Sequence, residues 1–273
     1  MNIGTVPGLT FVFLGLIVVI CILVPIVSGI LAKKKLGGNP ANIIIGALVF
    51  FVFAYVLESL MHVLVLKGPG KGITENIWLY ALYGGLAAGI FEETGRFVAM
   101  KKVMKKPLIK QNSVMYGIGH GGIEMILVGA MGAISNIAIS VMVNSGMADK
   151  VFGSVPADQM EQAIAQYSPL WTSSPFVFGL SAVERILAFT LQICLSYIVY
   201  RAVKDNRIQL FILAIFIHFF VDGAAVVLAS KANTYIAEAF LLVFTAALAV
   251  LIFNLYRKEP ADEVSAEIIN EEV

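Results

Sequence analysis

Charge is what this 273-residue chain has least of. Only 14% of its residues are Asp, Glu, Lys or Arg, while 59% are hydrophobic; a soluble domain carries about 25% charged residues. With a mean hydropathy of +0.88 the relevant solvent is the bilayer, and a soluble enzyme is excluded. Net charge is nearly absent too, at +1, so no basic field directs the chain to nucleic acid. Cysteine is rare: Cys21 and Cys194 stand in apolar runs, read as buried helix residues, and say little about redox compartment. The opening MNIGTVPGLT lacks a basic n-region, and the apolar run of about 24 residues that follows is too long for a signal-peptide core, so it reads as a retained first span. Several catalytic signatures are missing: there is no HExxH zinc motif, no GxSxG or GxSG-like serine turn and no GxGD. No internal repeat is visible.

What is present is a series of long apolar segments. Seven can cross about 30 Å of hydrocarbon; they run roughly over 9–32, 41–66, 76–100, 112–144, 174–200, 208–229 and 233–256. The fourth is overlong and reads either as one kinked or tilted helix or as two shorter pieces. The expectation is an all-α polytopic transmembrane bundle of about seven to eight spans, forming one domain over 1–258. Lys and Arg fix its orientation. With the N-terminus outside and the C-terminus inside, 13 of the 19 lie inside (Lys33 to Lys35, Lys101 to Lys110, Arg201 to Arg207, Arg257 and Lys258) and 4 outside. The external connection, about 145–173, carries a helix start at Ser154, Pro156 and Asp158, with Met160, Ile164 and Tyr167 on one face. The acidic stretch 259–273 reads as a disordered cytosolic tail.

An ionisable side chain at the bilayer centre costs at least about 2.5–3.5 kcal/mol, and such residues are functional candidates by default. Here they are numerous, and four pairs are spaced to share a helix face: Glu58/His62, Glu92/Arg96, His120/Glu124 and His218/Asp222. Glu92, His120 and His218 each lie 9 to 11 residues from a lysine or arginine on the inner side. At about 1.5 Å per residue they form one layer roughly 13–17 Å deep. Glu58 and His62 fall in the outer half of their span and fit that layer less well. Glu184 and Arg185 sit mid-span and read as neutralisers of charges on neighbouring helices. Gly85/Gly89 and Gly117/Gly121 form GxxxG spacings suited to close helix packing, and the glycines around His120 also leave room for water or substrate.

Peptide hydrolysis needs an activated water, a proton carrier and donors to the developing oxyanion. Glu92 with His120 can supply the first two. His218, oriented by Asp222, can donate to the oxyanion, and Arg96 can hold Glu92 and Glu93 in place. The alternative chemistry is a metal site, zinc for example, whose ligands would come from His120, His218, Glu92 and Glu124.

Three short motifs now stand in order: Phe91-Glu92-Glu93-Thr94-Gly95-Arg96, then Tyr116-Gly117-Ile118-Gly119-His120 with Glu124, then His218-Phe219-Phe220-Val221-Asp222. Together they resemble the CAAX prenyl endopeptidase-like clan, and within it the YhfC-type membrane peptidases. The PrsW-type proteases share the short gap between the double glutamate and its basic residue. The resemblance implies a glutamate-dependent or metal-dependent intramembrane endopeptidase of bacterial plasma membrane, acting on a membrane protein or lipidated peptide. It makes Glu92 the water-activating residue, Glu93 its neighbour and Arg96 the basic partner; His120 assists the water, and His218 and Asp222 serve the oxyanion. The CAAX enzymes have one more residue before the basic position and usually Asn where Asp222 stands, so cleavage of prenylated CAAX substrates is not implied. Two other readings compete: a proton- or metal-coupled transporter, whose pathway would also be lined by such residues, and a non-catalytic relative that binds a membrane protein without cutting it.

Overall fold

The computed structural model describes residues 4–68 and 70–260, and among them it contains helices and no strand. Seven long helices follow one another: α1 (Gly8–Leu36), α2 (Ala41–Leu66), α3 (Ile77–Val98), α4 (Lys110–Asn144), α5 (Phe176–Lys204), α6 (Ile208–Lys231) and α7 (Thr234–Lys258). All but α3 are long and apolar enough to cross a membrane. At 22 residues, α3 reaches about 33 Å, but it carries Glu92, Glu93 and Arg96. The protein is an all-helical integral membrane protein. Side-chain caps start two of the helices: Asn76 Oδ1 accepts from the backbone N–H groups of Trp78 and Leu79, and Asn233 Oδ1 from that of Ile236.

The overlong segment is one helix, α4, whose 35 residues include a π-helical stretch at Met125–Ala130. Two more π stretches occur, Phe51–Glu58 within α2 and Ala99–Val103 just after α3. A π turn is locally wider than an α turn and tends to accompany functional positions. These three end at Glu58, follow Glu124 and follow the Arg96 turn.

The chain divides into two compact units. The first holds residues up to Leu23 and Met125–Ile186. In it the Val6 backbone and the Asn144 side-chain amide exchange two hydrogen bonds, of 2.8 and 2.9 Å. Its connection carries short helices, Ala148–Phe152, Met160–Tyr167 and Pro169–Thr172. The second of these is the short helix expected after Pro156, with Ile164 and Tyr167 half-buried.

The second unit holds Val24–Glu124 and the chain from Leu187 onward. Its core gathers Met100, Tyr116, Leu195, Val199, Tyr200 and Ala214. Close packing here depends on glycine. A Cβ on Gly85 or Gly89 of α3 would lie 2.7 or 2.8 Å from the carbonyl oxygen of Phe219 or Ile215 on α6. On either side of His120, α4 presses against α2 where Gly119 meets the Ile43 carbonyl, and against α5 where Gly117 faces Ile193 Cα. At the far end of α7, the Glu259 carboxylate accepts from Tyr197, Tyr200 and Lys204, and Lys110 donates to its backbone oxygen. From residue 261 onward the expected acidic tail lies outside the described residues.

Candidate active site

Within the second unit α3, α4, α5 and α6 converge on one buried polar network. Glu92, Glu93 and Arg96 stand on one stretch of α3, spaced so that their side chains project from neighbouring positions of the same turn. Arg96, Glu93 and His120 are fully buried, and His218 is almost so. The guanidinium of Arg96 reaches α5: Nη1 donates to the Gln192 carbonyl oxygen at 2.9 Å and to Ser196 Oγ at 3.2 Å, and Nη2 donates to Gln192 Oε1 at 2.6 Å. Its Nε lies 3.4 Å from Glu93 Oε2, within ion-pair reach but not aligned as a hydrogen bond.

The two histidines divide the two glutamates between them. His218 Nδ1 is 2.8 Å from Glu93 Oε1, and its Nε2 faces Glu92 Oε2 at 4.0 Å and Asp222 Oδ2 at 3.5 Å. A Nδ1–H bond to Glu93 leaves Nε2 pointing at Glu92, so Glu93 fixes that ring's orientation. His120 Nε2 lies 2.9 Å from Glu92 Oε2 and 3.2 Å from Arg96 Nη2. One nitrogen therefore sits between an acceptor and a donor: protonated, it donates to Glu92; unprotonated, it accepts from Arg96. The ring is held by Phe50, edge-on at 5.0 Å between centroids.

Of the five residues expected to be catalytic, Glu92, Glu93, His120 and His218 are thus brought together, with Arg96, expected in a supporting role, among them. Asp222 is close by on α6 with a partly exposed side chain (42%), so the network opens on its side. Glu124 joins through Gln192, whose Nε2 donates to Glu124 Oε2 at 2.7 Å and to Glu92 Oε2 at 3.0 Å. Arg96, read as a partner of the glutamates, is 0% exposed and also bonds to α5. One expectation needs revising. The hydrogen-bonding partner that orients His218 through Nδ1 is Glu93, with Asp222 on the other nitrogen. Glu58 pairs with His62 at 3.2 Å, and His62 Nδ1 is 2.9 Å from Tyr83 of α3. Glu184 and Arg185 ion-pair with each other in the first unit.

Gln192 and Ser196 were missed by sequence reasoning that weighed only ionisable residues. The signal was available: they are polar residues four apart in the apolar run Phe189-Thr190-Leu191-Gln192-Ile193-Cys194-Leu195-Ser196. Beside the network an apolar cavity of about 610 Å³ lies between α3 and α6, lined by Trp78, Ala81, Phe219, Gly223 and Val227 among others. Phe219 and Gly223 are the chain neighbours of His218 and Asp222.

The donor chemistry suits zinc, with imidazoles and carboxylates in one place. Its arrangement does not. Among the described residues no three His, Cys, Asp or Glu side chains are disposed to hold a metal ion. The Arg96 guanidinium stands against His120 Nε2, the atom that faces Glu92, and would set a cation beside a cation.

The chain matches the family model described as YhfC intramembrane metalloprotease over residues 20–243. It is 36% identical over 210 residues to a Bacillus subtilis (strain 168) protein named "Uncharacterized membrane protein YhfC", an alignment covering 76% of this chain and 80% of that relative. No solved structure matches it.

Proposed function

The chain belongs to the YhfC intramembrane metalloprotease family, and from that premise we propose that it is an endopeptidase that cleaves a membrane-associated protein with a water activated by Glu92. The observation that carries this reading is the placement of Glu92 Oε2, 2.9 Å from His120 Nε2 and facing His218 Nε2 at 4.0 Å, inside a buried polar network. Glu92 takes a proton from the water as its oxygen attacks the peptide carbonyl carbon. His218, as an imidazolium with one N–H on Glu93, donates its Nε2–H to the oxyanion. When the C–N bond breaks, the proton passes to the leaving amine from Glu92 or through His120. Arg96 and Gln192 position Glu92 and His120 and do not touch the reacting atoms.

The lysines and arginines at the C-terminal ends of α1, α3, α5 and α7 and the N-terminal starts of α4 and α6 support an orientation with those ends in the cytosol. Glu92, His120 and His218 then lie in the cytosolic half of the membrane, of a bacterial plasma membrane as the Bacillus relative suggests, and Asp222, on whose side the network opens, stands one turn farther from the cytosol. The apolar cavity beside His218 and Asp222 suits an apolar flank of the substrate.

The test is cleavage of a membrane-anchored reporter in proteoliposomes by wild type and Glu92→Gln, with metal content measured on both. Undiminished cleavage by Glu92→Gln would falsify the mechanism. Stoichiometric zinc in the wild type, lost in His120→Ala/His218→Ala, would transfer the water activation to a metal, as the family description has it. Ion flux in sealed vesicles, with no cleavage, would replace both by transport.

A further inference from the structure

Away from the glutamate network, and independent of the protease reading, a second cavity lies at the lysine-rich end of the second unit. It has a volume of about 420 Å³, within the range of small-ligand sites. Three segments enclose it: the end of α1 with Lys33, the turn Gly37 to Pro40, and the connection Lys105 to Pro107 leading into α4. Its lining includes Lys33, Lys105 and Lys106 together with Asn39 and Asn112, and none of the lining residues is acidic.

The site is built rather than accidental. Gly37 has φ +70, which turns the chain sharply after α1. The turn is pressed onto α4, where a Cβ on Gly38 would run into Met115. Asn39 donates its backbone N–H to Asn112 Oδ1 at 2.9 Å, which fixes that amide with its Nδ2 donors available to another partner. Lys106 is tethered, its Nζ 2.6 Å from the Met100 carbonyl oxygen. Lys33 and Lys105 are exposed and make no hydrogen bond or ion pair among the described residues. Lys33, Lys105, Lys106 and the Asn112 amide thus line one recess at the end of membrane helices, with no carboxylate among its lining residues. Like charges on one recess repel, and an anion relieves that repulsion.

We propose that this cavity binds a phosphate group, presented by the headgroup of an anionic phospholipid or by a free phosphate. Its position gives binding a consequence. The connection that forms one wall runs from the π turn behind Arg96 to Lys110, the start of the helix that carries His120. A phosphate bridging Lys33 and Lys105 ties that connection to α1.

The experiment compares wild type with Lys33→Gln/Lys105→Gln, both purified in detergent. Intact-complex mass spectrometry reads the lipid retained from an equimolar mixture of phosphatidylglycerol and phosphatidylcholine, and thermal unfolding is followed with and without inorganic phosphate. Two lysines at an anionic headgroup should give a preference of roughly ten- to thirtyfold for phosphatidylglycerol, lost in the double variant. That result supports the site and assigns it to lipid. Stabilisation of wild type but not of the variant by inorganic phosphate, without lipid preference, supports the site and assigns it to the free anion. Equal lipid retention and equal phosphate response in the two proteins overturn the proposal.

Discussion

Glu184 and Arg185 are neighbours in sequence on one helix and ion-pair with each other, with side chains 32% and 17% exposed. Glu92, Glu93, Arg96, His120 and His218 come from three helices, and a fourth supplies Gln192 and Ser196 as hydrogen-bond partners. Both groups place charge inside apolar helices, but the physics differs. A pair of adjacent residues neutralises itself as soon as the helix forms. The five-residue network exists only when four helices have docked, and its members give up nearly all their exposure to join it. Desolvating an ion costs several kcal/mol, which a good ion pair only roughly offsets, so a buried network is weak evidence of stability. Such a network, with a histidine nitrogen poised between donor and acceptor, is what the proposed chemistry requires. The Glu184–Arg185 pair needs no explanation beyond neutralisation.

That contrast can be sharpened by substitution, and the largest effect is expected at Glu92. Glu92→Gln keeps the shape and the hydrogen bond from Gln192 but removes the base, so cleavage should fall about 10²–10⁴-fold. Melting temperature measured alongside distinguishes lost chemistry from lost fold. Next comes Arg96→Ala, which strands Glu93 and the acceptors on α5 without their cation. Breaking a buried pair in this way costs about 3–5 kcal/mol, and denaturation in detergent should show it as a large drop in stability. A small drop would mean that Glu93 is not held as an ion. Gln192→Leu should cost less, about 1–3 kcal/mol for the unpaired groups it leaves. It should also lower kcat more than it raises KM, because it frees Glu92 and Glu124 without touching a substrate surface; an effect on KM alone would place Gln192 in substrate binding. The smallest effect belongs to the other cluster. Glu184→Gln/Arg185→Gln removes both charges at once and should change stability by about 1 kcal/mol or less, with cleavage intact. Loss of cleavage there would dissolve the distinction between the two groups.

Much of the network was legible before any coordinates. The double glutamate with Arg96 three and four residues on, and His120 and His218 at matching depths, follow from helical spacing and from counting residues back to the nearest lysine or arginine. The rest was hidden for identifiable reasons. Gln192 and Ser196 carry no charge, so a search for ionisable groups passes over them, although an uncharged amide inside an apolar helix also needs a partner. The burial of Arg96 could not be read from its closeness to Lys101, because snorkelling and inward bonding are both open to a long side chain; acceptors on α5 decided for the second. The glycines, read as both packing and space, turned out to be tightly engaged: Gly117 and Gly119 bring α5 and α2 against the two sides of the His120 turn.

By itself the sequence determined that the chain lies in membrane, where its long helices run, which of their ends carry the positive charge, and which polar residues share a helix face. Those properties depend on apolar length and a period of 3.6, both local. Only the tertiary structure decided that His218 Nδ1 meets Glu93 while Asp222 stands on the other nitrogen, that Arg96 turns to Gln192, and that His120 bridges toward Glu92. Those partners lie 125, 96 and 28 residues apart, and a hydrogen bond between them is made or lost by a rotation of one helix against another that no local pattern encodes.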